Sequence, residues 1–283
     1  MNREGKGWAR GKTAATDRRV ARNAAAHRGM TYIRRTPVEL DRRYLHGVGH
    51  PSRRTLPLEW SPVMAYVVGL MATDGCLLSK RKQLNFKSED EQLVQAFLQC
   101  LGRPPRYRPI RGRTGNLHYV AQFGDADFYR WLQSIGLMPR KSLVLGSIKV
   151  PDEVLFDCAR GLLDGDGSIT NYWYDGTGKA TGKRYEGLRT RFTSGSRPHL
   201  EWLREALHRR AAISGSIGKA TRSWTLNYAI RESVILLPHL YPSLDAPCLL
   251  RKRRIWEDYA ARHGPRVALG TIAESRGSYS CAA

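Results

Sequence analysis

The chain has 283 residues, and its 47 lysines and arginines outnumber 25 acidic residues to give a formal net charge of +22. This excess predicts a polyanionic partner, and nucleic acid is favoured because neutralised phosphates release condensed counterions. A membrane partner is excluded because no apolar run approaches the roughly 20 residues of a bilayer helix; with no secretory signal either, we expect a cytoplasmic protein, nucleoid-associated in a bacterium or phage.

The first 58 residues form a basic segment without sustained apolar periodicity. They predict either a disordered arm or a small module with one short helix over residues 18–27, capped by Thr16 or Asp17. The segment also resembles the modular DNA-binding repeats found beside intron-type nucleases. The residues that carry this resemblance are Trp8, Gly11, Lys12, Thr13, Thr16, Asp17 and Val20. It implies a phosphate-contacting appendage.

From residue 59 to about 150, helical and strand-like segments alternate in a regular order. Ser61 followed by Pro62 is typical of a helix start, because a capping side chain precedes a proline at the first helical position. The predicted elements are a helix ending at Gly75, strands at Cys76–Lys80 and Leu84–Lys87, a helix at Glu89–Leu101, strands at Tyr107–Arg111 and Leu117–Phe123, and a helix at Ala126–Ile135.

The same order returns between residues 151 and 263. The predicted elements are a helix from Pro151 to Gly165, strands at Ser168–Tyr174 and Tyr185–Thr193, a helix at Pro198–Ala211, strands at Ile217–Ala220 and Trp224–Ile230, and helical segments to about Arg262. An order of αββαββα that occurs twice is an internal repeat, so we expect an α+β fold of two pseudo-symmetric halves, 59–150 and 151–263. Residues 264–283 are expected to form an unpacked tail.

The first helix of each half ends in the same unusual way, VVGLMATDG at Val67–Gly75 and ARGLLDGDG at Ala159–Gly167. Small residues along both helices would let two helix backbones approach closely. Asp74 and Asp166 then fall at helix C-termini, where the macrodipole already places about half a negative charge. Two such ends side by side are favourable only if a cation lies near them, and Mg²⁺ suits carboxylates combined with phosphate oxygens and water.

GLLDGDG closely resembles the LAGLIDADG motif of homing endonucleases, and GLMATDG resembles a second copy in which Ala72 replaces an acid that the other copy keeps as Asp164. The resemblance covers about residues 60–262. It implies a monomer with a DNA-binding saddle and the motif helices at the interface between its halves. It also implies that Asp74 and Asp166 bind Mg²⁺ or Mn²⁺ and that both strands of a long asymmetric double-stranded DNA site are cut.

The same resemblance implies a catalytic lysine after the last strand of each half. Pro-Arg-Lys-Ser around Lys141 is similar to the family pattern, and Lys252 holds the corresponding place in the second half. Either lysine would equally fit a simple phosphate contact in so basic a chain. Asp90 either positions water or metal, or offsets a helix dipole in a first turn.

Specific DNA recognition is expected from the strands, since a two-stranded ribbon fits the major groove and places arginine, lysine, asparagine and glutamine against base edges. Strand alternation means that about half of the candidates would contact DNA. They are Lys80, Arg81, Lys82, Gln83, Asn85, Lys87, Arg108, Arg111, Arg113, Asn116, His118 and Gln122 in the first half, and Asn171, Tyr172, Tyr174, Lys183, Arg184, Arg189, Arg191, Lys219, Arg222 and Asn227 in the second.

Two other functions stay open. A protein on the same scaffold that has lost cleavage would act as a DNA-binding regulator or as a maturase that binds intron RNA. A ribosomal or nucleoid-type structural protein would also be basic, but it would not need two matching acidic helix ends.

Overall fold

The computed structural model describes residues 58–79, 82–112, 115–177 and 180–275, with side chains described as far as residue 264. The basic segment before residue 58, with its predicted helix and repeat-like residues, lies outside this part. Within it the order αββαββα occurs twice, as the sequence predicts. Among the described residues, no helix combines the length and hydropathy needed to cross a bilayer.

The elements of the first half lie close to their predicted positions. Ser61 caps the first helix through a hydrogen bond from the Met64 amide to its Oγ (3.1 Å). The elements are α1 (Pro62–Thr73), β1 (Gly75–Leu78), β2 (Gln83–Ser88), α2 (Glu91–Cys100), β3 (Arg108–Arg111), β4 (Leu117–Gly124) and α3 (Ala126–Ser134), followed by a 3₁₀ turn at Lys141–Leu143.

The second half repeats this order and adds a last helix. A 3₁₀ turn at Asp152–Val154 leads into α4 (Leu155–Asp166), β5 (Ser168–Asp175), β6 (Arg184–Ser194), α5 (Arg197–Ala211), β7 (Ser216–Lys219), β8 (Trp224–Tyr228), α6 (Ile230–Leu240) and α7 (Leu250–Ser275). Helix α7 is kinked at His263, the boundary at which the sequence predicts the end of the second half, and its helical backbone continues to Ser275.

Each half contains one four-stranded antiparallel sheet, and the two sheets have equivalent strand orders, β1-β2-β4-β3 and β5-β6-β8-β7. One face of each sheet is covered by helices. Leu84 and Phe86 of β2, and Leu188 and Phe192 of β6, are buried on that face. Because side chains alternate along a strand, the opposite face of each sheet is left open.

Helices α1 and α4 pack against each other at the centre of the two halves. Residues Met64–Ala72 of α1 are all buried, as expected of a helix that is apolar on every side. The helices meet at Gly69 and Gly161, where a Cβ built on Gly69 would stand 2.8 Å from the Gly161 Cα. Only glycine fits this crossing, and the contact brings the C-termini of both helices to one place.

Candidate active site and nucleic-acid interface

Asp74 and Asp166 occupy matching positions at the C-termini of the paired helices. Asp74 is the C-cap residue of α1, and Asp166 is the last residue of α4. Asp74 is half-buried, whereas Asp166 is exposed. The predicted convergence of the two acids therefore follows from a helix contact that the small residues of both motifs permit.

The electrostatic state of the pair reflects its crowding. Loss of hydration and the nearby charge of Asp166 raise the pKa of Asp74 to about 7. Although Asp166 reaches solvent, the surrounding protein removes part of its hydration and raises its pKa as well. Both carboxylates are thus costly to ionise together, and a bound cation would favour the doubly charged pair.

Lys141 and Lys252 are both buried, and each caps one of the two central helices. The Lys141 ammonium donates to the carbonyls of Thr73 (3.2 Å) and Gly75 at the end of α1. The Lys252 ammonium donates to carbonyls at the end of α4, at 2.7 Å from Leu163, 2.8 Å from Asp164 and 2.7 Å from Gly167. Each lysine therefore satisfies carbonyls that a helix end leaves without partners.

Burial lowers the pKa of both lysines, and for Lys252 it lowers the pKa to about 8, while the neighbouring carboxylates act in the opposite direction. Their positive charges also lower the pKa of Asp74 and Asp166 and offset part of the raising effects. The two lysines and two aspartates therefore form one electrostatically coupled cluster at the ends of α1 and α4.

The carboxylates of Asp74 and Asp166 are oxygen donors of the kind that a hard divalent ion prefers. Mg²⁺ is commonly held by one or two carboxylates together with water and substrate phosphates. Among the described residues, no group of three or more His, Cys, Asp or Glu side chains could hold a metal. An ion held by Asp74 and Asp166 would therefore need further oxygen ligands from outside the described side chains.

Asp164, the first acid of the second motif, lies inside the protein, where it joins several elements. Its carboxylate is fully buried and accepts hydrogen bonds from Tyr66 Oη (3.0 Å), Tyr241 Oη (3.0 Å) and the Leu249 amide (2.8 Å). It thereby ties α1 and the segment before α7 to α4. Ala72 takes the matching place in α1 without polar partners to satisfy.

Asp90 faces the second half of the molecule. Its carboxylate forms a two-pronged ion pair with Arg251, with contacts of 2.8–3.2 Å, and it makes no side-chain cap to α2. Gln92 strengthens the same junction by donating to the Cys248 carbonyl (2.8 Å) and accepting from the Leu250 amide (3.0 Å). Gln92 thus holds the backbone of the segment that leads to Lys252, and Asp90 pairs with the Arg251 side chain.

The open faces of the two sheets gather many of the predicted DNA-contacting residues. Gln122 donates to Gln83 across the first sheet (2.9 Å), and Arg191 donates to Asn227 across the second (2.8 Å), so each pair shares a face. The predicted residues on these faces are Gln83, Asn85, Lys87, Arg108, His118 and Gln122 on the first sheet, and Tyr172, Tyr174, Arg189, Arg191 and Asn227 on the second.

Four predicted residues lie on the opposite, helix-covered side by strand alternation: Arg111, Asn171, Arg184 and Lys219. Asn171 donates to Glu186 there (2.7 Å) and accepts from Arg262 of α7 (2.9 Å). Arg111, Arg184 and Lys219 end or begin their strands, and β5 around Asn171 carries polar and aromatic residues on both faces, so neither pattern reveals the phase of alternation. Lys82, Asn116, Lys183 and Arg222 lie outside the strands, and Lys80, Arg81 and Arg113 lie outside the described residues.

No protein-family model matches the chain, and no curated protein sequence matches it. Solved structures with a similar fold include the I-LtrWI LAGLIDADG homing endonuclease bound to target DNA (TM-score 0.50, 10% identity, 77% of this chain and 98% of that chain). Another is the homing endonuclease I-WcaI bound to its DNA recognition sequence (TM-score 0.49, 15% identity, 75% of this chain and 96% of that chain). A third is full-length DUF199/WhiA from Thermatoga maritima (TM-score 0.47, 14% identity, 78% of this chain and 71% of that chain).

At these identities the likeness concerns the fold alone. The described part of the chain has a mixed α+β architecture of two halves, each with a four-stranded antiparallel sheet, and this matches the two-half LAGLIDADG fold.

Proposed function

We propose that this protein is a single-chain LAGLIDADG-type homing endonuclease that cuts both strands of a long, asymmetric double-stranded DNA site. The observation that carries the proposal is the pair Asp74 and Asp166, set at two helix ends that Gly69 and Gly161 hold in contact. A regulator or a maturase needs no such pair of partly desolvated acids, because binding alone gains nothing from their mutual repulsion.

The two open sheet faces and the net charge of +22 support duplex DNA as the substrate. An antiparallel strand pair fits the major groove, where arginine and lysine reach guanine and where asparagine and glutamine reach adenine. Two sheets of different sequence, one per half, would read two different half-sites. Because both halves belong to one chain, we expect the enzyme to act as a monomer on an asymmetric target.

The chain's own residues have separate parts in the reaction. Asp74 and Asp166 would hold Mg²⁺ or Mn²⁺, which when bound supplies an activated water and stabilises negative charge on the phosphoryl oxygens. Lys141 and Lys252 hold both helix ends in place through backbone carbonyls and place positive charge beside the acids. The open sheet faces bind and orient the duplex over this cluster.

The test begins with a randomised duplex library that is incubated with purified protein in Mg²⁺ or in EDTA, and bound and cut molecules are sequenced separately. Once a site is found, Asp74→Asn and Asp166→Asn are compared with the unaltered protein on that site. We expect each substitution to abolish Mg²⁺-dependent cleavage. DNA affinity in EDTA should stay equal or rise, because each change removes a negative charge close to phosphates.

Asp152→Asn is the matched control, since it also removes one negative charge but lies at an exposed position in the turn before α4. It should leave cleavage unchanged. Sequence-specific binding without cutting by the unaltered protein would contradict the nuclease and favour a regulator or maturase. Loss of binding as large as the loss of cleavage in either aspartate variant would indicate a folding role for that residue.

A further inference from the structure

The two halves can be matched residue by residue around the acid pair, because they share a turn at the end of the second strand. The Asp90 amide donates to Ser88 Oγ (3.2 Å), and the Ser196 amide donates to Ser194 Oγ (3.1 Å). Ser88 and Ser194 are therefore equivalent, and so are Asp90 and Ser196. Lys87 then corresponds to Thr193 on the open faces.

The register of the neighbouring strand and the capping lysines extend this match. Ser88 pairs with Tyr119 in the first sheet as Ser194 pairs with Trp224 in the second, so His118 corresponds to Ser223. Lys141 and Lys252 cap equivalent helix ends, so the preceding residues, Arg140 and Arg251, correspond as well. The first half thus carries Lys87, His118 and Arg140 where the second carries Thr193, Ser223 and Arg251.

The first-half residues surround a cavity of about 490 Å³ beside Asp74. Lys87, His118 and Arg140 line it together with Lys141 and one further acid, Glu89, so basic side chains outnumber acids there. The Arg140 side chain is exposed, and within the described residues its guanidinium has no ion-pair partner. Its backbone lies in the left-handed region (φ 57°, ψ 32°), which a non-glycine residue rarely adopts and which is concentrated at functional sites.

Arg251, the counterpart of Arg140, already forms an ion pair. Asp90 binds it through both carboxylate oxygens, so its positive charge is neutralised next to the acid pair. Within the described part of the chain Arg140 has no such partner, because Ser196 stands where Asp90 stands in the other half. The Ser196 hydroxyl instead donates to the Leu145 carbonyl (2.6 Å). The two matching arginines therefore differ in the charge that they can offer to a phosphate.

Resting on the proposed nuclease function, we propose that Arg140 binds a backbone phosphate beside Asp74, whereas its counterpart Arg251, which Asp90 already binds, does not. As a result, the two DNA strands are cut at unequal rates. Arginine suits this contact because its planar fork matches phosphate oxygens. Lys87 adds a second positive charge to the same cavity. At the matching positions the described second half has Thr193, which is uncharged, and Arg251, which Asp90 already binds.

The test uses the selected target duplex with a different fluorescent label on each strand, so that the two cleavage rates are measured separately. The unaltered protein should cut one strand faster. Arg140→Gln should slow that strand by about 100- to 1,000-fold, the cost typical of one lost charge-stabilising donor, and leave the other within about threefold. Asp90→Ser, which copies the first half, should free Arg251 and accelerate the slower strand.

Arg130→Ala is the control, because Arg130 is exposed on α3 and pairs with Asp127. It should leave both rates unchanged. Equal slowing of both strands by Arg140→Gln, or no gain on the slow strand from Asp90→Ser, would overturn the inference.

A second measurement does not depend on cleavage. The slope of log affinity against log salt, measured in EDTA, should fall in magnitude by about one for Arg140→Gln, since one phosphate contact is lost. An unchanged slope refutes the phosphate contact even if cleavage occurs. If the unaltered protein binds but cuts neither strand, the nuclease proposal fails, and the slope alone then decides the role of Arg140.

Discussion

The crossing of the two central helices makes Gly161→Ala a sensitive test of how the acid pair is assembled. A Cβ at this position would lie 2.9 Å from the Gly69 Cα and would also contact the Tyr66 carbonyl oxygen. Both neighbours are backbone atoms, so no side-chain rotation relieves the clash. The helices would have to separate, and overpacking of this kind costs about 1–3 kcal/mol.

Intrinsic helix propensity works against this cost, because alanine is favoured over glycine in a helix interior by about 1 kcal/mol. Because a Cβ here would clash with backbone atoms only, the cost lies at the upper end of that range, and we expect a net loss of about 2 kcal/mol in the free energy of unfolding, measured by urea denaturation. Cleavage should fall too, since separation of α1 and α4 displaces Asp74 from Asp166. Gly124→Ala is the matched control, because a Cβ there meets no atom within 4 Å. Unchanged or increased stability in Gly161→Ala would refute the close helix contact.

Two further predictions concern buried polar groups. Asp164→Ala should lower the free energy of unfolding by about 3 kcal/mol, because two tyrosine hydroxyls and the Leu249 amide lose their acceptor. Asp164→Asn should lower it by less than about 1 kcal/mol, because the new side-chain oxygen can accept from Leu249 and Tyr66 while its amide donates to Tyr241. Equal losses for the two variants in urea denaturation would contradict this prediction. Burial lowers the pKa of His199 to about 4, so this group favours the folded state fully above pH 6.5. As the pH falls from 6.5 to 4, the free energy of unfolding should decrease by about 3 kcal/mol through His199 alone. His199→Asn, which can keep the hydrogen bond to the Gly146 carbonyl, should remove that share of the acid sensitivity in unfolding curves at pH 7, 5 and 4.

The sequence predicted the order of elements and the two acidic helix ends because both depend on local patterns. Ser61 and Pro62 begin α1 as expected, and the glycines of both motifs permit the predicted approach of the helices. Most boundaries moved by one or two residues, but α4 begins four residues later than predicted, after a 3₁₀ turn, and α7 continues past the predicted end to Ser275. Ile230, for example, was expected to end a strand but begins α6.

The sequence did not reveal which charged residues are already engaged by the protein. Asn171 and Lys219 are residue types that often contact DNA, but strand alternation places them on the helix-covered side of their sheet. Arg140 and Arg251 occur in similar sequence contexts, and only the position of Asp90 across the interface distinguishes them. Such differences depend on contacts between distant segments, which no local pattern encodes.

The lysines show why this site needs its tertiary structure. An aspartate at a helix C-terminus opposes the macrodipole, and two such helices side by side oppose each other as well. Lys141 and Lys252 reduce this cost by donating to the terminal carbonyls, so each ammonium offsets a helix dipole and a carboxylate at once. The compensation is partial, because the pKa of Asp74 still rises to about 7. What remains comes first from the burial of Asp74 and then from the charge of Asp166, and the divalent ion of the proposed nuclease would relieve both.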